Sequence, residues 1–60
     1  MGLPQTMCLS GYVLIQDTNY YVTVKTLENN QRIARFPCDH ELNCAELIAM
    51  TKFVDEMRKC

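Results

Sequence analysis

Sixty residues, 48% of them apolar and 22% charged, make one small domain whose core is marginal without help. A net charge of −1 argues against both a strongly basic nucleic-acid binder and an acidic disordered tail.

Residues 1–5 contain Gly2 and Pro4 and are expected to fray. This N-terminus has neither the positive charge nor the apolar stretch of a secretory signal. The longest apolar run, residues 12–15, is far below the roughly 20 residues that cross a bilayer. The expected location is therefore cytoplasmic. In that compartment the four cysteines read as free thiols or metal ligands rather than as disulfides.

Residues 12–16, YVLIQ, are rich in β-formers, and Asp17, Thr18 and Asn19 supply turn chemistry. Residues 20–27 alternate as a second strand, residues 28–30 turn, and residues 31–36 form a third strand stopped by Pro37. A three-residue turn at 28–30, with an Asn in the left-handed region, sets Val24 opposite Ala34 and Val22 opposite Phe36, on the side of Tyr20. Thr23 then pairs with Arg35 and Lys25 with Ile33 on the other face. A slip of one residue would bury Arg35, so burial selects this register. The hairpin before it has two solutions: a two-residue loop buries Val13 and Ile15, and a three-residue loop buries Tyr12 and Leu14.

Asn43 and Glu46 form a capping box, flanked by a staple of Leu42 and Leu47. They open a helix running to Lys59, with Cys44, Leu47, Ile48, Met50, Thr51, Val54 and Met57 on its apolar arc. Ala45, Lys52, Glu56 and Lys59 are expected to face water, with Asp55 and Lys59 as an i,i+4 pair. The expected fold is α+β: one domain over residues 1–60, strands within 6–36 and a helix over 43–59. It is a three-stranded antiparallel meander packed on one C-terminal helix, with residues 6–9 as a candidate extra N-terminal strand.

Cys38, His40 and Cys44, with Cys8 or Cys60, contain the right atoms for a tetrahedral zinc site. Their C-x-H-x3-C spacing matches neither a CxxC knuckle nor an HxxxH helix pair, so the reading is no metal and no cofactor. Cys44 in the first helical turn beside His40 outlines a Cys–His nucleophile. No third group orients the histidine and the chain is too short for a deep cleft, so no enzymatic activity is predicted.

The sheet face away from the helix is expected to present Tyr21, Thr23, Lys25, Ile33 and Arg35. An aromatic among cations and an apolar residue suits a partner surface. The expected function is non-catalytic: a small protein-interaction or regulatory module docking on another protein, as accessory proteins of phages and plasmids do. The alternative is nucleic-acid binding on the same face. Residues Tyr12, Val13, Leu14 and Ile15 form an uncharged edge without proline, which predicts a homodimer pairing along that strand.

Overall fold

The fold is described from a computed structural model over residues 2–59. Met1, in the segment expected to fray, and Cys60, the candidate fourth thiolate, lie outside the described residues. Four strands, β1 (Gln5–Leu9), β2 (Tyr12–Gln16), β3 (Tyr21–Thr26) and β4 (Arg32–Pro37), precede one helix, α1 (Cys44–Lys59). The strands form an antiparallel sheet in the order β1-β2-β3-β4, giving an α+β fold.

The candidate N-terminal strand is real and covers β2. Ser10 and Gly11 both have positive φ, 56° and 83°, so β1 and β2 are joined by a tight two-residue hairpin. This overturns the expectation that Tyr12, Val13, Leu14 and Ile15 form an open edge. β2 is an inner strand, paired with β1 on one side and β3 on the other. The free edges are β1 and β4. Gln5, placed among the fraying residues by sequence, is the first residue of β1.

The hairpin left open between β2 and β3 takes the odd-length solution. Leu14 pairs with Val24, and Tyr12, Leu14 and Gln16 face the helix while Val13 and Ile15 face away. Tyr20 does not join the core as expected. It precedes β3 and is 76% exposed.

Between β3 and β4 the expected pairs Val22–Phe36, Thr23–Arg35 and Val24–Ala34 all form. The expected Lys25–Ile33 pair does not. A bulge follows Val24, so Lys25 lies opposite Arg32, and Asn30 takes the left-handed φ of 58° in a turn that also takes in exposed Leu27. In the unbulged register Ile33 would sit among the cations of the open face. The extra residue instead packs half-buried Ile33 against the core and releases exposed Arg32 to the other side.

The capping box forms at both ends: Glu46 N–H donates to Asn43 Oδ1, and Asn43 N–H donates to Glu46 Oε1, each at 2.9 Å. Leu42 and Leu47, the staple, are buried with Tyr12, Leu14, Val22, Val24 and Val54. The apolar arc of α1 is narrower than its sequence pattern. Leu47, Thr51 and Val54 are buried and Met50 is half-buried, whereas Cys44, Ile48 and Met57 are exposed. A helix about 10 Å across cannot cover four strands spaced about 4.8 Å apart, so its flanks overhang. On one flank Phe53 meets Phe36 of β4 edge-to-face, with ring centres 5.8 Å apart.

Gln16 is fully buried on the core side of β2. Its Oε1 accepts from Gln5 Nε2 at 2.7 Å and from Leu42 N–H at 3.0 Å. Its Nε2 donates to the His40 carbonyl at 2.8 Å and to Cys38 Sγ at 3.3 Å. One amide thus ties β1, β2 and the connection into α1 together.

Three substitutions separate these contributions. Asn43→Ala should cost about 1 kcal/mol through loss of the cap, and Leu47→Ala about 2–4 kcal/mol through cavity formation. Gln16→Met keeps the volume and removes the polar node, leaving the buried Leu42 N–H and the part-buried His40 carbonyl without their side-chain partner. A loss of at least about 2 kcal/mol is expected. Urea unfolding measures all three, and a Gln16→Met protein as stable as the parent would refute the role of the node.

Candidate binding site on the open sheet face

The face of the sheet away from α1 holds a shallow depression of about 230 Å³, lined by Ile15, Asp17, Tyr21, Thr23, Lys25, Arg32 and Arg35. β3 places Tyr21, Thr23 and Lys25 on this face because alternate residues, Val22 and Val24, are wholly buried on the other. β4 brings Arg35 beside them through the Thr23–Arg35 pair, and the bulge adds Arg32 opposite Lys25.

Four of the five residues expected on this face, Tyr21, Thr23, Lys25 and Arg35, are therefore together. Ile33 is not: it packs on the core side. Sequence reasoning missed Arg32, which only the bulge delivers, and Ile15 and Asp17, whose side followed from the undecided hairpin parity. The alternation of Arg32, Ile33, Ala34 and Arg35 carried a signal, since no unbroken strand can bury Ile33 and Ala34 while exposing both arginines.

The Arg35 guanidinium lies over the Tyr21 ring, 4.5 Å from its centre. This contact keeps the guanidinium beside the Tyr21 ring on the open face. Among the described residues the ion pairs involve His40, Asp39, Glu46, Asp55, Glu56 and Lys59. Among the described residues, Lys25, Arg32 and Arg35 have no carboxylate within ion-pair distance. Asp17 is the single acid of the depression. The other six acids, Glu28, Asp39, Glu41, Glu46, Asp55 and Glu56, lie in the β3–β4 turn, before α1 or on it. With Lys52, Arg58 and Lys59 on α1 counted, the open face carries a net +2 and the rest of the chain −3.

Cys38, His40 and Cys44 are separated by their partners. Cys38 is half-buried and accepts from Gln16, while Cys44 is exposed on the helix. Among the described residues, no group of three His, Cys, Asp or Glu side chains is placed to hold a metal ion. His40 instead sits between two carboxylates. Its Nδ1 is 2.7 Å from Asp39 Oδ1, and its Nε2 is 3.0 Å from Glu46 Oε2. A neutral imidazole can donate to only one of them, and the imidazolium donates to both.

No family model matches this chain, and no curated protein or solved structure matches it.

The His40 cluster makes the helix cap pH-sensitive. The hydrogen bonds to Asp39 and then Glu46 hold the His40 pKa above its ordinary value. Asp39 is held low by its bond to His40, and Glu46 by the Asn43 N–H and then by His40. His40 therefore contributes stability fully below its unfolded value of about 6.5, and loses it as pH rises through the higher folded value. The carboxylates contribute above their unfolded values of about 4 and lose it as pH falls through lower folded values. Denaturation midpoints across pH should peak between about pH 4.5 and 6.5. His40→Gln should flatten the alkaline limb and leave the Glu46–Asn43 part of the acid limb. An alkaline limb that His40→Gln leaves unchanged would refute this.

Proposed function

We propose that this chain is a non-catalytic binding module whose open sheet face docks on an acidic patch of another protein. One observation carries the reading. Lys25, Arg32 and Arg35 converge on an exposed depression without carboxylate partners, beside Tyr21, while most of the acids lie elsewhere. Unpaired guanidinium forks suit carboxylates, which they meet with two parallel hydrogen bonds. Ile15 and the Tyr21 ring add apolar contact of the kind that anchors protein interfaces.

Nucleic acid is the second reading, favoured by the Arg35–Tyr21 stack, a platform for an unpaired base. Three cations neutralise few phosphates, and a chain of net charge −1 exerts no long-range pull on a polyanion. The protein partner is therefore preferred.

Fluorescence anisotropy with a labelled oligoglutamate peptide and a labelled oligothymidine, each at several salt concentrations, tests both. The peptide should bind the parent protein, and the double variant Arg32→Glu, Arg35→Glu should weaken it at least about tenfold. Tighter binding of oligothymidine, with a steep salt dependence, would favour the second reading. Binding of neither probe would overturn the proposal.

A further inference from the structure

The two edges of the sheet are protected unequally. In β4, Cys38 N–H donates to the Tyr20 carbonyl at 2.9 Å, in the same register as Val22–Phe36. Ala34 and Phe36 therefore turn their backbone groups to β3, and Arg35 and Pro37 turn theirs outward. Pro37 has no N–H to offer there, the bulge at Ile33 disturbs the line, and Arg32 and Arg35 charge it. These are the devices by which proteins discourage strand addition.

β1 has none of them. Leu9 and Tyr12 face each other across a two-residue turn, so Gln5, Met7 and Leu9 direct their backbone groups to β2. Thr6 and Cys8 direct theirs outward, and both side chains are exposed. The five residues, QTMCL, contain no charge and no proline, and no bulge interrupts their pairing with β2.

The geometry points to β1 as a homodimer interface, two copies pairing antiparallel through β1 to give one continuous eight-stranded sheet. The register follows from the parity. With the two-fold axis at Met7, Thr6 of each copy faces the partner's Cys8, and each such pair exchanges two hydrogen bonds. All five residues of each strand are then matched. A second copy is the occupant that the surroundings suit. The edge is neutral, so self-pairing brings no like charges together, and the cationic depressions sit far out on the wings, about 30 Å apart.

Apolar surface flanks the same edge. Met7 is half-buried, and Leu9 and Ile48 are each 37% exposed. Phe53 faces β4, so Ile48, more than a third of a turn round the helix from it, overhangs the β1 side. A partner's Met7, Leu9 and Ile48 would cover these residues, adding burial to the strand pairing. The inference is independent of what the open face binds.

Light scattering on the purified chain, up to about 1 mM, should give twice the 7.0 kDa monomer mass. Thr6→Lys with Cys8→Lys sets lysine against lysine at exposed positions and should weaken the dimer at least tenfold with an unchanged circular dichroism spectrum. Thr6→Lys with Cys8→Glu sets opposite charges in the same register and should restore it. A parent protein that is monomeric throughout overturns the proposal. So does a dimer indifferent to both lysines, or one that the Lys–Glu variant fails to restore.

Discussion

The Gln16 amide is the constraint around which the molecule is arranged. A buried amide left unpaired would cost several times the net value of a hydrogen bond, so every segment that meets Gln16 must arrive in place. Gln5 arrives from β1, while the His40 carbonyl, Leu42 N–H and Cys38 arrive from the connection to α1. Gln5 Nε2 also donates to the Leu42 carbonyl at 2.8 Å, so the N-terminal strand and the helix entrance are stitched to each other as well. Once Leu42 is held there, the staple and the capping box follow in the next residues, and α1 leaves at an angle that lays Leu47, Thr51 and Val54 on the sheet.

The far end of the helix is held by a softer arrangement. Tyr12 is buried, yet its hydroxyl reaches Asp55 at 3.1 Å, and Arg58 lies over its ring at 5.7 Å. One aromatic residue thus joins the sheet to the last turns of α1 through its polar tip. Thr51, buried in mid-helix, satisfies its hydroxyl by donating to the Leu47 carbonyl. Among the described residues no buried side-chain polar atom lacks a partner, which is how so small a core tolerates a glutamine and a threonine at its centre.

Packing on one side of the sheet dictates what the other side shows. Val22 and Val24 are wholly buried, so Tyr21, Thr23 and Lys25 are turned to solvent by the pleat alone. The bulge in β4 serves both faces at once, drawing Ile33 to the core and placing Arg32 with Lys25 and Arg35. The concentration of cations thus follows from where the apolar residues had to go. The reading of that face as an acidic-partner site rests on this separation of charge.

Local chemistry determined a large part of this molecule. The Asn43–Glu46 box, the Leu42–Leu47 staple, the turn asparagine at 30 and the pairing of Val22 with Phe36 are short-range or parity-governed, so residues a few positions apart decided them. What the tertiary structure decided involves groups distant along the chain. The strand that covers β2 comes from a segment whose own composition is neutral toward pairing. The role of Gln16 depends on residues up to 26 positions away. The bulge balances the burial of Ile33 against the exposure of Arg32, a comparison that exists only when the core is assembled. The apolar arc of α1 was legible as a pattern, but its width was set by the sheet beneath it. A helix can display more apolar residues than one side of four strands can cover, and only the packed structure chooses which remain outside.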